Sequence, residues 1–218
     1  LEVIAGQGTL GLEIVGDLPT VDMIIVPAGG GGLLAGVAAC VKQINPRIEV
    51  IGVQAEGAPA IVNSFHQDSI LASDAVHTIA DGIAVKCPGT KTMEHINTFV
   101  DDMVTVSDDD IAATILMLLE RTKQVVEPAG ASSLAALLAG KRDFAGKKVA
   151  CVLSGGNIDV SFIHRIVEKG LVTRYRHMKF NVIMPDVPGS LERLAGIIAE
   201  QNANIIMFQH DRVNANLD

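Results

Sequence analysis

The stretch from Met23 to Val41 runs for 19 residues without a charge, and what interrupts it decides what the chain can fold into. A window of that length invites a membrane-spanning helix, but Pro27 and the run Gly29-Gly30-Gly31-Gly32 fall inside it. A strand, a loop and a helix in succession fit better. Met23 to Val26 reads as a strand covered on both faces, Leu33 to Ile44 as a buried helix stopped at Asn45-Pro46, and Ile48 to Val53 as a second covered strand. That is a strand–helix–strand unit, with the right-handed crossover expected in one parallel sheet.

The same alternation continues. Gly6-Gln7-Gly8-Thr9 is a glycine-rich lead into a short apolar helix over 10–14, and Ala58 to Ser69 has helical spacing. A loop is expected around Ala80-Asp81-Gly82, and the region 54–108 is otherwise irregular. Ser107 with Asp110 three residues on gives a capping-box start for a helix reaching about Lys123. Val125-Val126-Glu127-Pro128 breaks it, and Ala129 to Leu138 forms a helix of small residues closed by Gly140. Lys148 to Leu153 reads as a third covered strand, and a helix is expected from Asp159 to Lys169. The class is α/β, with ligands at the carboxyl ends of the strands.

Composition narrows the function. Of 218 residues, 49% are hydrophobic and 19% charged, enough for a buried core. A net charge of −8 is the wrong sign for binding nucleic acid, and six Phe, one Tyr and no Trp leave little for base stacking or a membrane belt. Cys40, Cys87 and Cys151 show no metal or redox spacing, and their odd number argues against a disulfide framework, so a cytoplasmic setting is expected. No metal site is expected. The six histidines (66, 77, 95, 164, 177 and 210) lack ligand spacing, and Asp101, Asp102 and Asp108 to Asp110 read as solvated faces and caps.

Two loops carry the chemistry. The glycine run lies between a strand and a helix, where backbone can approach a ligand and the first helical N–H groups favour an anion such as phosphate. Val37 stands where a Walker A loop needs lysine. A dinucleotide fingerprint stays open, because Gly30-x-Gly32-x-x-Ala35 fits it and Glu56 follows the next strand; so does a glycine turn serving only strand–helix packing. The second loop, Ser154-Gly155-Gly156-Asn157, sets a hydroxyl beside two glycines at another strand end.

Together, Val26-Pro27-Ala28-Gly29-Gly30-Gly31-Gly32-Leu33 and Val152-Leu153-Ser154-Gly155-Gly156-Asn157-Ile158-Asp159 resemble the cofactor phosphate loop and the pyridine-nitrogen loop of the threonine and serine dehydratases. Leu1 to Gly16, Ala80-Asp81-Gly82-Ile83 and Val126-Glu127-Pro128-Ala129-Gly130 match further family segments in order, so the resemblance covers residues 1–172. It implies a three-layer parallel-sheet fold of the tryptophan synthase β-like kind, fold type II, incomplete at its N-terminus. The implied cofactor is pyridoxal 5′-phosphate. Gly29, Gly30, Gly31, Gly32 and the Leu33 amide would hold its phosphate, Ser154 would meet the ring nitrogen, and Glu127 and Gly82 would lie close by. For Glu127, a solvated carboxylate ahead of a helix is an equal reading.

The implied reaction is loss of water from threonine or serine, followed by hydrolysis to 2-oxobutanoate or pyruvate and ammonia. The Schiff-base lysine, in a Ser-Phe-Lys-like string, and a Ser-x-Gly-Asn-His loop are absent from the 218 residues and are expected upstream of Leu1. No catalytic residue is therefore assigned in this chain, which is expected to be inactive alone. Serine racemase-like relatives place two carboxylates around a cation where this sequence has Gln54 and Ala60, which lowers that alternative. A non-catalytic module binding phosphate or an amino acid is the other.

A different unit is expected from residue 179, after a linker at 173–178. Lys179 to Met184 reads as a strand, Pro185 to Ser190 as a turn, Leu191 to Asn202 as a helix and Asn204 to Gln209 as a second strand. Asp186-Val187-Pro188-Gly189-Ser190-Leu191 resembles the first turn of an ACT regulatory domain, so residues 179–218 are read as a partial ACT-like βαβ unit. The resemblance implies an amino-acid effector at Pro188, Gly189, Ser190 and Leu191, and a homo-oligomer, dimeric or tetrameric.

Overall fold

β1 (Met23–Pro27) is buried along its whole length in the computed structural model, which describes residues 1–173 and 176–211. Its apolar run suits a central strand of a sheet covered on both sides. β2 (Glu49–Ala55) pairs with it in parallel, Ile25 opposite Ile51, and β3 (Asp102–Val106) pairs in parallel with β2. β4 (Val149–Cys151) returns to the other side of β1, Ile25 opposite Cys151, giving the order β3-β2-β1-β4.

Alternation along the strands sends side chains into two cores. On one face Ile24, Val26 and Val50 pack with α1 (Glu2–Asp17), α2 (Gly32–Ile44), α3 (Ala60–His66) and α4 (Thr90–Phe99). On the other, Ile25, Ile51 and Val53 pack with α5 (Asp108–Arg121), α6 (Pro128–Leu138) and α7 (Val160–Thr173). The three-layer α/β/α arrangement expected from the sequence is present.

Four expectations are corrected. The glycine-rich lead at 6–9 is part of α1, because Gly8 and Gly11 let two helices touch: a Cβ on Gly8 would lie 3.2 Å from Gly36 O, and one on Gly11 3.2 Å from Val37 O. The irregular region 54–108 contains α4 and β3. Asp108 is not a solvated face, since its carboxylate bonds Thr78 and Ile79. Ser107 and Asp110 do form the expected reciprocal cap of α5.

The fourth concerns the tail. A second compact unit begins at Met178, and its one regular element among the described residues is α8 (Ser190–Glu200). The expected strands at 179–184 and 204–209 are not strands, so the βαβ unit is reduced to its helix. A strand exists only through its ladder, and two short segments without a sheet to join do not build one. Phe180, Ile183, Ile206 and Met207 are correspondingly exposed. Arg174 and Tyr175 of the expected linker lie outside the described residues.

Among the described residues no helix is long and apolar enough to cross a membrane. The three cysteines differ in environment: Cys87 is exposed, whereas burial raises the Cys40 thiol and pushes that of Cys151, on β4, up to about 12. Thiolate, not thiol, is the nucleophile. Ellman's reagent at pH 8 is therefore expected to modify Cys87 first, a Cys87→Ser variant losing the fast phase; equally fast reaction of Cys151 would contradict its burial.

Candidate functional site

The two loops leave the carboxyl ends of neighbouring parallel strands, β1 and β4. At the end of β1, Ala28 N–H donates to Val53 O at 2.8 Å and starts the glycine run in a fixed direction. Gly31 then adopts φ +87°, a left-handed conformation that glycine tolerates, and serves as N-cap of α2. The first intrahelical bond runs from Ala35 N–H to Gly31 O at 2.9 Å, which leaves the amides of Gly32, Leu33 and Leu34 without an intrahelical acceptor. With the positive end of α2 behind them, they form an anion seat.

The glycines divide by what a side chain would meet. A Cβ on Gly29 would lie 2.7 Å from Gly82 O, so packing against backbone requires glycine there; at Gly31 the requirement is its left-handed φ of +87°. Gly30 is exposed, its backbone is not left-handed, and a Cβ there would meet nothing within 4 Å. Packing gives no reason for glycine at this position.

The second loop is tied down from below. Val152 N–H donates to Ile25 O at 3.0 Å, and the buried Ser133 hydroxyl donates to Val152 O at 2.7 Å. Glu127, the N-cap of α6, donates its backbone N–H to Gly155 O at 3.0 Å. A Cβ on Gly130 would come within 2.9 Å of Gly155 N and O, and one on Gly155 would overlap Glu127 Oε1. The Glu127 carboxylate thus lies against Gly155, and its Oε1 is 3.5 Å from the Cβ position of Gly82. Ser154 is exposed at the same strand end.

An open cleft of about 310 Å³ adjoins these residues, lined by Gly82, Glu127, Asn157, Asp159, Phe162 and Arg165 among others. Asp159 accepts from Ser161 N–H at 2.7 Å at the start of α7, and hydrogen bonding from Ser161 holds its carboxyl below the usual range. Arg165 lies over the Phe162 ring, 4.8 Å from its centroid. Glu56, the acidic residue of the dinucleotide pattern, pairs with Lys141 at 3.2 Å. Gln54 is fully buried, and its Oε1 accepts from Ile61 and Val62 N–H at 2.8 and 3.0 Å.

Sequence reasoning missed what holds the loops. Ser133 and Asp108 act across long sequence separations, on Val152 O and on Thr78 and Ile79. A run of small residues in α6 is the one available signal, since it foretells close backbone approach.

A parallel α/β/α sheet with two glycine loops at adjacent strand ends defines the class: residues 2–155 match the model of pyridoxal-phosphate dependent enzymes, and the chain belongs to that family, with the fold-type II architecture. The dinucleotide reading gives way to it. Within the family, the chain is 50% identical over 210 residues to an L-threonine ammonia-lyase of Thermotoga maritima, an alignment covering 96% of this chain and 52% of that protein. The structure of the processed form of threonine deaminase isoform 2 from Solanum lycopersicum is 35% identical, with a TM-score of 0.71 over 76% of this chain and 49% of that one. Maize serine racemase is 36% identical, with a TM-score of 0.70 over 79% and 54%. The chain spans about half the length of the curated relatives it matches.

Proposed function

We propose that this chain carries the cofactor-phosphate and ring-nitrogen loops of a pyridoxal-phosphate-dependent threonine ammonia-lyase, which converts threonine to 2-oxobutanoate and ammonia and serine to pyruvate and ammonia. The observation that carries the proposal is the open space in front of Gly30, beside three helix-start amides and one strand away from Ser154. Gly29 to Gly32 and the Leu33 amide would hold the phosphate dianion. Bound pyridoxal phosphate supplies an electron sink that weakens the α-C–H bond of an amino acid.

Ser154 offers the ring nitrogen a neutral hydroxyl. A carboxylate there would keep that nitrogen protonated, whereas the Ser154 hydroxyl would leave it neutral and the electron sink weaker. Glu127, fixed against Gly155 and Gly82, puts an acceptor at the rim of the cleft. The chemistry of this lobe is thus binding and electrostatic. The lysine that bonds the cofactor is not among the residues assigned here.

The 50% identity to an L-threonine ammonia-lyase supports this reading over a racemase, and so does Gln54, whose oxygen is taken by two backbone amides rather than offered to a cation. The proposal extends to a cytoplasmic homo-oligomer whose tail from residue 179 senses an amino acid. Gly189, at φ +91°, opens α8 as Gly31 opens α2, which supports placing an effector carboxylate at Pro188 to Leu191. The test is direct: the intact gene product, supplied with pyridoxal phosphate, releases ammonia and 2-oxobutanoate from threonine. Release from neither threonine nor serine would overturn the activity.

A further inference from the structure

Segment 77–83 reaches the glycine loop from outside the sheet, and two contacts hold it there. At one end, His77 N–H donates to Gly57 O at 3.0 Å, and a Cβ on Gly57 would overlap His77 O, so backbone lies on backbone. At the other, Asp108 reaches across from the first residue of α5. Its Oδ1 accepts from the Thr78 hydroxyl at 2.6 Å, its Oδ2 accepts from Ile79 N–H at 3.1 Å, and Ala80 N–H donates to Thr78 Oγ at 3.1 Å. One carboxylate orients three consecutive residues. The next turn, closed by Ile83 N–H on Ala80 O at 3.0 Å, sets Gly82 O 2.7 Å and Ile83 Cα 3.3 Å from the Cβ position of Gly29.

The chain of contacts from Asp108 to the glycine loop is therefore unbroken: carboxylate, Thr78 to Ala80, the turn Asp81–Ile83, and Gly29. We infer that Asp108 is a positioning residue of the cofactor site. It fixes the turn that backs Gly29 and presents Gly82 beside Glu127, without itself touching a ligand. The inference rests on the proposed function for what the site binds, and on geometry alone for what Asp108 does.

The test uses the intact gene product in three variants. Asp108→Ala is expected to raise the dissociation constant for pyridoxal phosphate, read by absorbance titration, about tenfold, the scale of losing hydrogen bonds to a charged group. In Asp108→Asn the amide oxygen still accepts from Ile79 N–H and the amide nitrogen donates to Thr78 Oγ, so affinity is expected to return to within about threefold. Ser107→Ala removes the cap of the same helix, and is expected to lower thermal stability with affinity unchanged.

Hydrogen exchange without cofactor supplies the independent readout: the Ile79 and Ala80 amides exchange faster in Asp108→Ala and not in Ser107→Ala. Wild-type affinity in Asp108→Ala, or equal losses in Asp108→Ala and Ser107→Ala, would overturn the inference. If the wild-type protein takes up no pyridoxal phosphate, the proposed function falls and exchange alone decides: faster exchange at Ile79 and Ala80 upholds the positioning contact, and unchanged exchange overturns it.

Discussion

Replacing Gly30 by aspartate is expected to raise the dissociation constant for pyridoxal phosphate by about 100-fold or more while leaving the fold in place. The two halves of that expectation have separate physical sources. The fold survives because a Cβ at Gly30 would meet nothing within 4 Å, which leaves the new side chain an open exit. Binding fails because the new carboxylate stands before the unbonded amides of Gly32, Leu33 and Leu34, where it competes for their hydrogen bonds and repels the phosphate. Each charge-assisted bond lost is worth about 1.5–3 kcal/mol, and two of them account for the stated factor. Gly30→Ala separates size from charge and should cost far less. Absorbance titration of the intact gene product measures both. Binding of Gly30→Asp within a few-fold of the wild type would show that phosphate is held elsewhere.

The second large effect is on stability, at a glycine with the opposite surroundings. A Cβ on Gly36 would overlap Ile4 O and lie 2.8 Å from Gly8 N, so the backbones of α1 and α2 would have to separate. Gly36→Val is expected to destabilise by about 3 kcal/mol or more, because the clash is with main chain and no rotamer relieves it. For a chain of this size, that lowers the melting temperature by roughly 6–12 °C. Gly6, two residues from Gly8 on the same helix, has nothing within 4 Å. There Gly6→Ala is expected to stabilise by roughly 0.5–1 kcal/mol by removing unfolded-state freedom. Opposite signs in a urea titration confirm the helix crossing; equal losses would show that α1 does not pack as described.

These cases show why parts of the structure were readable in the sequence. β1 is an uninterrupted apolar run, and β2 is mostly apolar and buried over 50–55, and a run covered on both faces needs no partner to be recognised. Ser107 and Asp110 announced their helix because a cap is made by residues three apart. α4 escaped notice because it buries only Met93 and Ile96 fully among polar neighbours, and β3 because only Met103 and Val106 of its five residues are buried. Glycine was the most misleading letter. The same residue marks a left-handed cap at Gly31, a helix contact at Gly8 and an empty space at Gly30, and only their neighbours in space tell them apart.

The site was legible in outline for a related reason. Its two loops carry their own strings, so their nature was visible before their proximity. What positions them was not: Asp108 looked like one of three consecutive acids on a helix start, and its partners Thr78 and Ile79 precede it by about thirty residues. The tail failed in the opposite direction. Alternating residues at 179–184 suggested a strand, but alternation describes only a side-chain pattern, and pairing has to come from elsewhere.

The pairing of Ile25 with Cys151 has a consequence for the order in which the molecule comes into being. β1 meets β2 soon after both leave the ribosome, but it meets β4 only when almost all of the first unit has been made. Closing so long a loop is entropically costly and slow, so the contact belongs to the late part of folding.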